Sequence, residues 1–282
     1  MVIKVTSQNV VQPCNNPDPS ERTCTRHQLA IPPPCAIPNR LHARLFGCTL
    51  LTGLTGQGGI LEIKPLYLLA DSQLLFLEQG RNGFTQRLKE DLPADPKAAY
   101  IGASNNNQTE FYDLFLAAME LIGIKQCRMV PEQLADDDRA FLDEASLVLL
   151  SGGDTQRGWR VFMQNGVKEM LLRKRYDGSV LVGVSAGAVQ LALGALSEET
   201  QPKVIEMFGF APFYIGAHEE DEDWWNLRAL VNLSRSDQRG IGIPAGGGAI
   251  YFPDGTLEPV RRPLIEFMKE DEGIKERLLV PE

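Results

Sequence analysis

Residues 183–187 read Gly-Val-Ser-Ala-Gly, a G-x-S-x-G pattern that crowds small side chains around the hydroxyl of Ser185. On a sharp strand-to-helix turn, a serine in this setting projects its oxygen over a sheet edge, where it can attack a carbonyl carbon. Bulky groups at the two glycine positions would clash with such a turn. The amide of the next residue, Ala186, is then placed to stabilise a developing oxyanion. A plainer reading is that small residues let a helix pack closely on a sheet. Both readings predict a strand before Ser185 and a helix after it.

A serine hydroxyl is a weak nucleophile and needs a base. The chain has three histidines, His27, His42 and His218. The first two lie in a proline-rich stretch, which leaves His218 for the folded portion. It follows the apolar run Phe213-Tyr214-Ile215-Gly216-Ala217, and so sits at a predicted strand end. The role it would take is general base toward Ser185, then general acid toward a leaving amine. The bland alternative is a surface or packing histidine. A further loop at a predicted strand end, Ser151-Gly152-Gly153-Asp154, offers the Gly153 amide as a second oxyanion donor and Asp154 as a helix N-cap. After His218 comes an acidic run that includes Glu222 and Asp223. Such a run is either a solvated face, or a means of orienting the imidazole or drawing in a cationic substrate group.

These residues need a scaffold, and from Lys64 onward the pattern alternates strand and helix signals. Short apolar runs occupy 65–69 and 73–77. Residues 98–103 read as a buried strand ending in a Gly/Asn-rich loop. The next segment predicts a helix with Phe111, Leu114, Phe115, Ala118, Met119 and Ile122 on one stripe. Strands are predicted at 126–130, 146–150 and 180–184, and helices at 159–176 and 186–196. The last third holds strand signals at 213–217, 240–243 and 248–252, the last turning at Asp254-Gly255 into a hairpin. Alternation at this spacing implies βαβ units, hence a parallel sheet with helices on both faces. In such sheets ligands sit beyond the carboxyl ends of the strands, where Ser185, Gly153 and His218 are all predicted.

The first 60 or so residues differ. They hold seven of the 18 prolines and four of the five cysteines, Cys14, Cys24, Cys35 and Cys48, which rules out long regular elements around Pro32–Pro34. The cysteine spacings of ten, eleven and thirteen contain no C-x₂-C pair, so no metal site is predicted. Residues 1–63 read as a poorly ordered extension and residues 64–282 as one catalytic domain. A hydrophobic share of 43% with 23% charged residues is that of an ordinary globular chain. The net charge of −9 argues against a nucleic-acid partner. No apolar run reaches the roughly 18 residues of a membrane span, and the N-terminus lacks a secretory h-region, so a cytoplasmic protein without a membrane partner is expected. A homodimer is compatible with the sequence.

Taken in order, Tyr100-Ile101-Gly102-Ala103-Ser104-Asn105, Leu149–Thr155, Gly183–Val189, Ile215–Glu220 and Gly240–Phe252 resemble the landmarks of the serine peptidase family that includes peptidase E, an aspartyl dipeptidase, and cyanophycinase. The resemblance spans roughly 64–260. It implies a three-layer, doubly wound, mostly parallel α/β sheet similar to that of class I glutamine amidotransferases. It also implies Ser185 as nucleophile, His218 as base, Gly153 and Ala186 as oxyanion donors, and no cofactor. The expected reaction is cleavage of a small peptide, or of an aspartyl or β-aspartyl amide, through an acyl-enzyme. Serine at 185 argues against glutamine amidotransfer, which uses a thiol there. Two departures stand out. Pro244-Ala245 replaces the Asp-Glu that follows Gly-Ile-Gly-Ile in cyanophycinases, so the third triad carboxylate is unassigned among Glu198, Glu199, Glu219 and Glu220. Residues 68–77 also replace the usual glycine-rich turn. The rival readings are a non-catalytic small-molecule-binding module, which Ala245 favours, and an esterase of the α/β-hydrolase type. The 33 residues between Ser185 and His218 leave that last fold little room for its insertions. The hydrolase reading requires Ser185 and His218 to meet across the edge of one shared sheet.

Overall fold

The computed structural model describes residues 63–77, 83–235, 237–271 and 273–281. The predicted extension, with His27, His42 and the four clustered cysteines, lies outside the described residues apart from residue 63.

Five short apolar segments form the centre: β1 (Leu66–Leu69), β2 (Lys97–Ile101), β3 (Gln126–Val130), β4 (Leu147–Leu150) and β5 (Val180–Val184). They pair in parallel in the order β1-β5-β4-β2-β3. Helical segments separate them, which is what parallel pairing requires. Beyond β1 the sheet is extended antiparallel by β10 (Gly248–Tyr251) and β11 (Leu257–Val260), joined by the predicted turn at Asp254-Gly255. Gly255 has φ +92°, a conformation open to glycine, and the Phe252 amide donates to the Thr256 carbonyl at 2.9 Å.

The two-residue period of the strands divides the core. Leu66, Leu68, Val148, Leu150 and Leu181 face one side; Tyr67, Leu69, Leu147, Leu149 and Val182 face the other. The second side is covered by α1 (Phe84–Glu90) and α2 (Thr109–Ile122). The first is covered by α3 (Asp136–Glu144), α4 (Thr155–Asn165), α5 (Val167–Tyr176) and α6 (Ala186–Leu191). The result is the expected three-layer, mostly parallel α/β architecture. A second sheet, of order β13-β12-β9-β8, packs into the α3–α6 side. It comprises β8 (Tyr214–Ala217), β9 (Arg239–Ile243), β12 (Leu264–Glu270) and β13 (Gly273–Leu279), with α7 (Trp225–Leu233) connecting β8 to β9.

Three predicted elements differ in detail. The helix over 159–176 is two helices, because Gly166 turns the backbone to φ +79° between them and the Asn165 side chain accepts from the Val167 amide. The helix over 186–196 stops at Leu191, and Gly194–Leu196 forms β6, paired with β7 (Val204–Glu206). The apolar run 73–77 is a short 3₁₀ turn over Ser72–Phe76, N-capped by Asp71. The α2 stripe is also only partly core: Phe115, Ala118, Met119 and Ile122 are buried, whereas Phe111 and Leu114 are exposed. No helix among the described residues is long and apolar enough to cross a membrane.

Candidate active site

The β5 strand is buried up to its last residue, and the chain then reverses at Ser185, whose φ of 49° and ψ of −111° lie where non-glycine residues seldom sit. Two main-chain bonds hold it there. The Ser185 amide donates to the Leu69 carbonyl at the end of β1 (2.8 Å), and the Ser185 carbonyl accepts from Val189 in α6 (3.1 Å). Both flanking glycines are required by contact. A β-carbon on Gly183 would stand 2.6 Å from the Ala188 amide nitrogen, and one on Gly187 would stand 2.2 Å from the Leu150 carbonyl oxygen. The two readings of the small residues therefore coincide, because close packing of α6 on β4 and β5 is what turns the serine outward.

His218 ends β8 in a similar way. Its φ is 48°, and its amide donates to the Ile243 carbonyl at the end of β9 (2.9 Å). Ser185 Oγ lies 2.8 Å from His218 Nε2. The expectation of one shared sheet is corrected: β5 belongs to the seven-stranded sheet and β8 to the four-stranded one. β8 pairs with β9 rather than with the central strands, and α6 fills the space between, its Ala188 and Leu191 sharing a core with Ile215.

The 151–154 loop closes a third side. Gly153 has φ +127°, and a β-carbon there would sit 2.3 Å from the Ser104 carbonyl oxygen, while the Asp154 amide donates to that same oxygen at 2.8 Å. Asp154 caps α4 as predicted, accepting from the Arg157 amide at 2.8 Å. Gly152 brings the loop beside the serine, since its β-carbon would lie 3.4 Å from Ser185 Cβ. Among the described residues, neither the Gly153 nor the Ala186 amide donates to an internal acceptor.

The four candidate glutamates separate clearly. Glu198 and Glu199 are exposed on the β6–β7 connection, where Glu199 pairs with Lys203. Glu219 is tucked under β8, and its carboxylate accepts from the Leu227 amide in the first turn of α7 (3.2 Å). Burial raises its pKa above the usual carboxylate range, opposed by the Leu227 amide and by the neighbouring His218. Glu220 accepts from the Ala245 amide at 2.8 Å, so a carboxylate touches the backbone of the residue that cyanophycinases would have as glutamate. None of these oxygens forms a hydrogen bond with His218. Glu222 and Asp223 stand in an exposed turn and Asp223 pairs with Arg228.

A cavity of about 530 Å³ opens beside Ser185 and His218. Its lining includes Gly152 and Gly153 and the apolar side chains of Leu75, Phe111, Leu114 and Phe115. Their sequence spacing placed the α2 residues on one helical stripe; Phe111 and Leu114, in its first two turns, line the cavity, so the same stripe passes from cavity to core along the helix. Tyr100, its pKa raised mainly by burial, forms part of the lining and accepts from the Asn105 side chain at 2.8 Å. No cluster of three or more His, Cys, Asp or Glu able to hold a metal occurs among the described residues.

The sequence model of peptidase family S51 matches residues 83–258, more than half of the chain. No curated protein matches it in sequence. Among solved structures, the fold is similar to that of a peptidase from an acI-B1 actinobacterium, with a TM-score of 0.61 and 18% identity, over 79% of this chain and 96% of the other. It is also similar to a candidate peptidase E protein from Listeria monocytogenes EGD-e, with a TM-score of 0.52 and 13% identity, over 70% of this chain and 98% of the other.

Proposed function

The chain belongs to peptidase family S51, and on that premise we propose that it cleaves a small peptide through an acyl-enzyme formed on Ser185. The observation that carries this reading is the 2.8 Å contact between Ser185 Oγ and His218 Nε2 at the mouth of the cavity. With the proton of the neutral ring on Nδ1, Nε2 accepts from the hydroxyl. As Oγ attacks the scissile carbonyl carbon, its proton passes to Nε2, and the carbonyl oxygen takes up the negative charge. The Gly153 and Ala186 amides, unspent on internal acceptors, are the donors for that charge. The imidazolium then protonates the leaving amine, the C–N bond breaks, and an ester to Ser185 remains. Water, deprotonated by His218, attacks the ester and frees the acid, restoring the serine.

For the supporting carboxylate, the reading favours Glu219. Its charge and that of the imidazolium stabilise one another through space, although its oxygens are engaged by α7. The resemblance to peptidase E and cyanophycinase adds aspartyl and β-aspartyl amides to the linkages to be assayed. The acidic run after His218 lends no support to a cationic substrate group, since residues 219–223 are not part of the cavity lining. The binding-module alternative rested on Ala245, and membership of a peptidase family outweighs it.

Ser185→Ala provides the test. Hydrolysis should fall by several orders of magnitude, with the circular dichroism spectrum and melting curve unchanged. A fluorophosphonate probe should label the wild type at Ser185 and leave the variant unlabelled. Undiminished turnover by the variant would remove the proposal.

A further inference from the structure

We infer that the cavity beside Ser185 selects an uncharged peptide in which an apolar side chain flanks the scissile amide, with Phe111 and Leu114 setting the preference. This rests on the peptidase reading of the same site and supplies its substrate class.

The charges of the lining are already committed. Among the described residues, the Asp, Glu, Lys and Arg side chains lining the cavity are those of Asp71 and Arg157. Asp71 accepts from the Gln73 amide through one oxygen (2.8 Å) and from the Gly246 amide through the other (2.6 Å). Arg157 pairs with Glu132 at 2.6 Å, donates to the Asn106 side chain at 2.7 Å, and also donates to the Ala103 carbonyl. A carboxylate or guanidinium entering the cavity would leave bulk water without gaining a free counter-charge from these two residues.

What remains available is apolar surface and a neutral acceptor. Phe111 and Leu114 are 47% and 45% exposed, high for large apolar side chains, and they line the same cavity of about 530 Å³ as Ser185. A peptide side chain laid against them removes that surface from water. The side-chain oxygen of Asn105 is buried without a hydrogen-bond partner among the described residues. Buried polar atoms are seldom left unpaired. Asn105 lines the cavity, and that oxygen suits a neutral donor such as a peptide N–H group.

The test is a matched dipeptide set, X-Ala and Ala-X, with X as Leu, Phe, Asp or Arg. Hydrolysis is measured with wild type and binding by calorimetry with Ser185→Ala. In at least one series, Leu or Phe should exceed Asp and Arg by about tenfold or more in both kcat/KM and affinity. Leu114→Asp, at an exposed position whose folding is checked by its melting curve, should reduce that ratio at least about tenfold. Phe111→Ala should reduce it less, by shrinking the apolar wall without adding charge. Wild-type hydrolysis and Ser185→Ala binding that both favour charged residues in both series would overturn the inference and leave the peptidase reading intact. The absence of binding by any apolar dipeptide, or an unchanged ranking in folded Leu114→Asp, would overturn it too. Tight apolar binding with no wild-type turnover would instead remove the peptidase reading and keep the selectivity.

Discussion

The two turns that meet at the site are built alike and held differently. Ser185 and His218 each end a strand with φ near +50°, and each is tied by its amide to the carbonyl ending a neighbouring strand. Around Ser185 the supports are steric: two glycines whose β-carbons would enter the backbone of α6 and β4. Around His218 they are polar, with the ring exposed and followed by glutamates that accept from the amides of Leu227 and Ala245. Packing contacts change little with pH, whereas carboxylates do. The serine turn should therefore fail by volume and the histidine turn by charge.

The largest effect that tests this contrast comes from removing the proposed base. His218→Asn keeps a polar side chain, and asparagine tolerates the positive φ. Under the proposed mechanism, kcat should fall by about 10⁴-fold or more, since a triad member acts as part of a unit. The melting temperature should change little, because the ring is exposed. Loss of stability comparable to the loss of activity would mean that the turn is held by the ring itself, and the contrast would dissolve.

Gly187→Ala comes next and acts on the other side of the comparison. One methyl group placed 2.2 Å from the Leu150 carbonyl oxygen forces α6 away from β4. Overpacking of this kind costs about 1–3 kcal/mol, or several degrees in melting temperature for a domain of this size. Because Ser185 opens α6, the hydroxyl moves as well, and a displacement of about 1 Å can cost about 100-fold in rate. Calorimetry and kcat should drop together and show the same deficit across pH. A stable, active Gly187→Ala would show that the serine turn tolerates volume.

Much of this division was legible in the sequence, for physical reasons. The strands β1–β5 are short apolar runs bounded by breakers, and the G-x-S-x-G pattern marks a steric requirement that only small residues meet. The partner strands of His218 were not legible. Nothing in 213–217 says which strand it will pair with, and the choice of β9 placed the imidazole on a second sheet without separating it from the serine. The helix over 159–176 hid a break because Gly166 is one residue in a periodic stretch. Phe111 and Leu114 carry the same spacing as the buried residues of α2, yet they are exposed and line a cavity. Periodicity reports which face of a helix is apolar; it does not report how far along the helix the core extends.

The smallest effect belongs to the polar turn and has a sign. Burial raises the Glu219 pKa above its unfolded value, so folding favours the protonated acid. That contribution is fully present below the unfolded-state pKa and is lost as pH rises through the folded-state pKa. Glu219→Gln keeps an oxygen for the Leu227 amide and cannot ionise. The variant should melt close to wild type below the unfolded-state carboxylate value of about 4.3 and increasingly above wild type as pH rises through the folded-state pKa, the gap opening as the wild-type carboxylate ionises. If the same charge supports the imidazolium through space, kcat/KM should fall over that range by no more than about tenfold, the equivalent of one pKa unit. A melting gap that opens toward acid instead would show that the ionised carboxylate holds the turn, and that the Leu227 amide outweighs burial.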